Sequence, residues 1–315
     1  MKKIVIIHGE ANSINTEIIV KSWKRLNIIQ KKSLFIIGNE KLIAAQMKRL
    51  NLKVEINRIS KKKIKLNSKK INILDVNVRF KKPFKIEKKI NSTYIKKCLN
   101  LADELARNKL IDGVINCSID KKIFEKRIGV TEYLSKRNNL DNKEVMLIFN
   151  KKLSVAPITT HINLDSVQKN ISKDKIIKKI LTIKSFFYTN FKKKVKIGVL
   201  GLNPHNDEFR KDSFENKTIL PAIKLLKKKK LNISGPFSVD EIFLRKQFKF
   251  DVIVGMYHDQ VLGPFKALFR FNAINITLGL PYIRVSPDHG TASEIIYKKK
   301  ASPESLINCI KLILC

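Results

Sequence analysis

The segment Asp251-Val252-Ile253-Val254-Gly255-Met256-Tyr257-His258-Asp259-Gln260 passes from an apolar, β-branched run directly into a cluster of polar side chains. The first half reads as a strand from Asp251 to Met256. The histidine then falls just beyond the strand's carboxyl end. In parallel α/β sheets that is where functional sites assemble, because the loops there bring distant residues together.

The same kind of run recurs along the chain. Strands are expected at Lys3 to Ile7, Ser33 to Ile37, Ile71 to Val76, Gly113 to Cys117, Glu144 to Phe149, Val195 to Leu200 and Ile274 to Leu278. Longer segments of helical period separate them. Ile95, Cys98, Leu99, Ala102, Leu105 and Ala106, spaced by three and four, share one helix face. A second helix is expected from about Asp174 to Phe191, and a third at the end of the chain with Ser302 as N-cap and Pro303 at its first position. The alternation defines an α/β fold. The basic stretch from Lys61 to Lys89 reads as a loop or edge-strand excursion, and there is no internal repeat.

With 315 residues, 43% of them hydrophobic and 29% charged, the chain has ample apolar material for a large core, which excludes a disordered protein. The net charge of +38 would ordinarily suggest nucleic acid. Its lysines, however, are spread along the chain together with Ile and Asn, as in Lys61-Lys62-Lys63 and Lys192-Lys193-Lys194, and form no single basic arm. We read the charge as compositional bias, with attraction of anionic substrates as its residual consequence. Cys98, Cys117, Cys309 and Cys315 form no CxxC pair, which suits a reducing compartment. The apolar run after Lys3 is too short for a signal peptide and no stretch approaches a membrane span, so a cytoplasmic location is expected.

The chain has five histidines. His161, His205 and His258 each follow a turn or a strand end, and three neutral imidazoles converging there would suit a borderline divalent ion. Their separation in sequence carries no metal-binding spacing, and a lone histidine after a strand is more often a hydrogen-bonding residue.

A resemblance adds to this. Gly201-Leu202-Asn203-Pro204-His205, Gly235-Pro236 with Asp240, Met256-Tyr257-His258-Asp259-Gln260, Asn275-Ile276-Thr277-Leu278-Gly279-Leu280-Pro281 and Asp288-His289-Gly290-Thr291-Ala292 occur in that order. In order and spacing this set resembles the 4-hydroxythreonine-4-phosphate dehydrogenase family of pyridoxal phosphate (vitamin B6) biosynthesis. The resemblance implies an isocitrate/isopropylmalate dehydrogenase-like, two-lobed α/β fold with a central mixed sheet. One lobe would be 1–130 plus 282–315, on the cofactor side, and the other 131–281, on the metal and dimerisation side. It also implies a homodimer with the active site in a cleft completed by the partner subunit.

By the same resemblance His161, His205 and His258 are the ligands of a divalent metal (zinc, magnesium or cobalt). Thr131, Lys266, Asn275 and Arg284 bind substrate, Asp240 and Lys266 are catalytic, and His289, Gly290, Thr291 and Ala292 contact NAD or NADP. The implied reaction is NAD-dependent oxidation and decarboxylation of 4-phosphohydroxy-L-threonine to 3-amino-2-oxopropyl phosphate. Lys266 and Arg284 can neutralise a phosphate and a carboxylate, and Gly290 allows close backbone approach to a cofactor. No GxGxxG follows a strand, so a Rossmann site is not expected.

Two departures stand out. The family's glycine- and proline-rich first turn reads Gly9-Glu10-Ala11-Asn12-Ser13-Ile14-Asn15-Thr16-Glu17, keeping Glu10, Ile14 and Glu17. Its His-Thr-Glu segment reads Val130-Thr131-Glu132. Valine makes no hydrogen bond, a loss of about 1–3 kcal/mol in binding that bears on specificity more than on reaction class. The alternatives are a paralogous dehydrogenase for another phosphorylated hydroxy acid, or a basic nucleic-acid-binding protein on a dehydrogenase scaffold.

Overall fold

A computed structural model of the chain describes residues 1–120, 123–124, 129–140, 143–244, 249–270 and 272–314. In chain order its strands are β1 (Ile4–Ile7), β2 (Leu34–Gly38), β3 (Ile56–Ile59), β4 (Ile71–Asp75), β5 (Gly113–Asn116) and β6 (Val145–Phe149). They continue as β7 (Ser154–Pro157), β8 (Ile197–Leu200), β9 (Ile233–Phe237), β10 (Val252–Gly255), β11 (Ile274–Leu278) and β12 (Ile283–Pro287). The chain divides into two compact units, Met1–Val130 with Pro281–Cys315, and Thr131–Leu280.

In the first unit the strand order is β3-β4-β2-β1-β5-β12, and every pairing is parallel. All four residues of β1, Ile4-Val5-Ile6-Ile7, are buried, as expected of a strand with helices over both faces. The helix Lys88–Arg107 buries Ile95, Cys98, Leu99, Ala102, Leu105 and Ala106, the stripe visible in the sequence. Burial of the large aliphatic members, Ile95, Leu99 and Leu105, is worth about 1.5–3 kcal/mol each. The closing helix runs Glu304–Leu314, starting a residue after the expected Pro303. Ser302 Oγ accepts from Glu304 N at 3.4 Å, and the Pro303 carbonyl accepts from Ile307 N.

The second unit is mixed. Its order is β11-β6-β7-β10-β8-β9, antiparallel from β11 through β6 to β7 and parallel thereafter. Met146, Ile148, Leu153, Val155, Leu200, Ile253, Val261 and Phe265 share one buried cluster. The helix Lys173–Phe191 is capped by Ser172, whose side chain accepts from Lys175 N, and ends on Lys192 in the left-handed region. No described helix is long and apolar enough to cross a membrane.

All eight expected strands are present, each within a residue or two. Four further strands were not anticipated, and each lacks the uniform apolar signal. β3 (INRI) is a sheet edge that buries only Ile59, β7 ends in Pro157, β9 carries Gly235-Pro236 on an edge, and β12 interleaves Arg284 and Ser286 with its apolar residues.

Candidate active site

β7, β10 and β8 are parallel neighbours, so their carboxyl ends lie side by side and carry His161, His258 and His205 respectively. Buried polar side chains tie these ends together. Thr159 binds the Met256 carbonyl twice, from its amide at 3.1 Å and its hydroxyl at 2.7 Å. Gln260 accepts from Met256 N at 2.6 Å and donates to the Gly201 carbonyl at 2.7 Å. One amide group thereby fixes the end of β10 to the end of β8. Gly255 makes room for it, since a Cβ there would lie 2.8 Å from Gln260 Oε1 and 2.5 Å from Val261 Cγ1.

The turn after β8 is held by a carboxylate. Glu215 is fully buried, and its Oε1 accepts from Leu202 N and Asn203 N, both at 2.8 Å, while Oε2 accepts from Asn203 Nδ2 at 3.2 Å. Beyond this turn His205, Asn206, Asp207 and Glu208 all have φ between 49° and 59°, a run of left-handed backbone that is costly for residues with a Cβ. Asn206 is buried with Oδ1 lacking a protein partner among the described residues. Neither Glu215 nor Gln260 was singled out by sequence reasoning. Gln260 closes the Met256–Gln260 motif, whereas Glu215 lies in no motif and had no signal.

Of the three expected ligands, His161 and His258 are brought together, with ring centroids 5.8 Å apart and planes inclined by 41°. His161 Nδ1 lies 3.4 Å from Glu132 Oε1, and His258 Nδ1 lies 2.6 Å from Asp259 Oδ1. His205 is exposed after β8, and among the described residues no group of three or more His, Cys, Asp or Glu is arranged to hold a metal. The donor type nevertheless suits a borderline divalent ion, since two adjacent imidazoles each turn Nδ1 to a carboxylate.

The expected substrate residues of this unit lie on β11 and two helices. Thr131 Oγ1 is 3.1 Å from Thr277 Oγ1, and Thr277 is buried on β11 two positions from Asn275. Asn275 Oδ1 is buried with no protein partner among the described residues, which fits an atom reserved for a ligand. Lys266 is half-buried on the helix His258–Phe269, and Asp240 is exposed on the short helix Val239–Ile242.

The first unit has its own polar cluster at strand ends. Arg284 is buried on β12 and donates from Nε to Asn116 Oδ1 at 2.6 Å, which fixes the guanidinium plane. In the His289-to-Ala292 segment, the Thr291 carbonyl accepts from Ile14 N at 3.2 Å. His289 Nε2 is buried without a protein partner among the described residues, and a Cβ on Gly290 would meet nothing within 4 Å. After β1, His8 is fully buried between Thr16 Oγ1 at 2.8 Å and the Tyr94 hydroxyl at 3.3 Å, and burial pushes its pKa down to about 4. Burial also raises the pKa of Glu10, against the pull of its bonds from Asn12 N and Asn91.

These features define an α/β protein with polar clusters at its strand ends, and comparison with known proteins gives its class, an oxidoreductase, and its family. Residues 30–313 match the family model described as pyridoxal phosphate biosynthetic protein PdxA. A 4-hydroxythreonine-4-phosphate dehydrogenase from Sulfurihydrogenibium sp. is 38% identical, covering 100% of this chain and 98% of the relative. A relative from Oceanobacillus iheyensis, provisionally named a D-threonate 4-phosphate dehydrogenase, is 30% identical over 98% of this chain and 95% of its own. Among solved structures, 4-hydroxythreonine-4-phosphate dehydrogenase from Klebsiella pneumoniae superposes with a TM-score of 0.84 at 26% identity, covering 100% and 99% of the two chains. The chain belongs to the PdxA family.

Proposed function

We propose that this chain oxidises 4-phosphohydroxy-L-threonine with NAD or NADP and releases carbon dioxide and 3-amino-2-oxopropyl phosphate. The observation that carries this reading is the grouping, in one unit, of the imidazole pair His161 and His258 with Thr131, Thr277 and the unpartnered Asn275 Oδ1. Of these, the family resemblance assigns His161 and His258 to the metal and Thr131 and Asn275 to the substrate, and Thr277 is the partner of Thr131.

In the proposed reaction the C–H bond of the secondary alcohol breaks, hydride passes to the nicotinamide, and the hydroxyl proton leaves to a base. Asp240 and Lys266 are the residues that the resemblance implies are catalytic. The β-keto acid so formed loses carbon dioxide, and the electron pair left on carbon is reprotonated. A metal held by His161, His258 and His205 would supply Lewis-acid stabilisation of the oxygen. Lys266 would bind an anionic group of the substrate, and the resemblance assigns Arg284 to substrate as well. Asn116 holds Arg284 through Nε. The His289 to Ala292 segment would receive the cofactor. A homodimer in the cytoplasm completes the reading.

The test is the rise in absorbance of reduced nicotinamide with 4-phosphohydroxy-L-threonine, run with zinc or magnesium and beside a chelated control. A metal-dependent rise is expected. Equal rates with D-threonate 4-phosphate, or a preference for it, would overturn the substrate assignment and make Val130→His the variant to measure next.

A further inference from the structure

The His161 ring carries a contact that the metal and substrate assignments do not use. Glu132 Oε1 lies 3.3 Å from Thr160 Oγ1 and 3.4 Å from His161 Nδ1, so one carboxylate oxygen accepts from two adjacent residues of the loop after β7. His258 Nδ1 meets Asp259 in the same way at 2.6 Å. A ring nitrogen facing a carboxylate carries the proton, which leaves Nε2 as the lone-pair donor. Both rings of the pair are thus committed to the same tautomer by acidic neighbours from different elements.

Glu132 has a cationic neighbour of its own. Lys179, on the helix Lys173–Phe191, is buried, donates to the Glu144 carbonyl at 2.7 Å and lies 4.0 Å from the Glu144 carboxylate. Burial pushes its pKa down to about 8, while the negative charges of Glu144 and Glu132 oppose that fall. Glu132 thus faces the positive charge of Lys179 as well as the imidazole of His161.

We propose that Glu132 is a positioning residue, fixing His161 as the Nδ1–H tautomer and holding it in register with His258 through Thr160. The proposal rests on the reading of His161 and His258 as metal ligands and adds a role for the glutamate of the Val130-Thr131-Glu132 segment.

The experiment titrates zinc alone into the full-length chain by calorimetry, for the parent, Glu132→Ala, Glu132→Gln and His161→Ala. Nitrogen-15 shifts of the His161 ring are recorded in chelator. Glu132→Ala should weaken zinc binding about 10–100-fold with its thermal midpoint in chelator unchanged, and should let His161 populate the Nε2–H tautomer. Glu132→Gln, whose amide oxygen still accepts, should restore most of the affinity and keep the Nδ1–H signature. Should Glu132→Ala not fold, the ring shifts of Glu132→Gln against the parent decide, and an Nε2–H ring in either refutes the proposal. Parental zinc affinity and an unchanged ring in Glu132→Ala would also overturn it. Parental affinity in His161→Ala would instead overturn the metal reading on which it stands.

Discussion

Removal of the Glu215 carboxylate should loosen the turn that leads to His205. Glu215 is fully buried, and its two strongest bonds come from the backbone amides of Leu202 and Asn203 at 2.8 Å. Hydrogen bonds to a charged group contribute about 1.5–3 kcal/mol each. Two corrections lower the sum. Leu202 is half-buried and Asn203 exposed, so water can reach their amides once the carboxylate is gone, and deletion also removes the cost of burying a charge. We therefore expect Glu215→Ala to destabilise by about 2–4 kcal/mol, a large part of the total stability of an ordinary domain. Glu215→Gln keeps an oxygen for both amides but sets an NH2 against Asn203 Nδ2, and should cost about 1 kcal/mol. Urea unfolding of the three proteins measures this, with a common m-value showing that the change lies in stability. A Glu215→Ala variant within about 0.5 kcal/mol of the parent would refute the claim that this carboxylate holds the turn.

Other outcomes follow from buried groups. With its folded pKa near 4 against an ordinary 6.5, His8 is neutral in the native state while the unfolded chain takes up a proton, so its contribution is complete above pH 6.5 and is lost as pH falls toward 4. At 1.36 kcal/mol per pKa unit the loss is about 3 kcal/mol. Glu10, with its pKa raised, acts in the opposite sense, so the difference in urea stability between the parent and His8→Asn across that range isolates His8. Gly255→Ala would force a methyl group against Val261 and Gln260 and should cost about 1–3 kcal/mol, read as a lowered urea midpoint together with reduced turnover; parental values of both would dismiss the packing argument. Cys98, Cys117 and Cys309 are buried, and burial pushes all three thiols up, Cys117 to about 12. At pH 8 iodoacetamide should leave all three unmodified in the native protein and label them in urea, as read by mass spectrometry.

The fold was legible where side chains repeat with one period. β1, β2, β6, β8 and β10 are nearly unbroken apolar runs, and the Lys88–Arg107 helix shows a clean stripe. The strands that escaped notice, β3, β7, β9 and β12, contain the residues that interrupt a pattern, and their strand character comes from neighbours that complete the ladder. At the site, motif positions marked His161 and His258, which the structure pairs, although motif positions themselves carry no information on distance. Glu215 was invisible for a different reason. A buried acid that caps a turn is defined by the amides it faces, and those amides belong to residues far from it in sequence.

The first turn shows how one chain can replace conformational restriction with hydrogen bonds. Where the resemblance leads one to expect glycines and prolines after Gly9, this sequence has polar residues instead. Gly9 keeps the positive φ, 77°, that the turn requires. The rest of the turn is held by side chains. Asn15 Nδ2 donates to the carbonyls of His8 at 2.9 Å, Ser118 at 2.9 Å and Glu10 at 3.3 Å, and Asn15 Oδ1 accepts from Ser118 Oγ at 2.7 Å. Ser13 Oγ donates to the Glu10 carbonyl, and Asn12 exchanges two bonds with the backbone of Ile86 at 2.9 Å each. A proline lowers the entropy of the unfolded chain, whereas these bonds stabilise only the folded turn. Ser118 lies just after β5, so the loop that follows that strand and the first turn meet at the same hydrogen bonds.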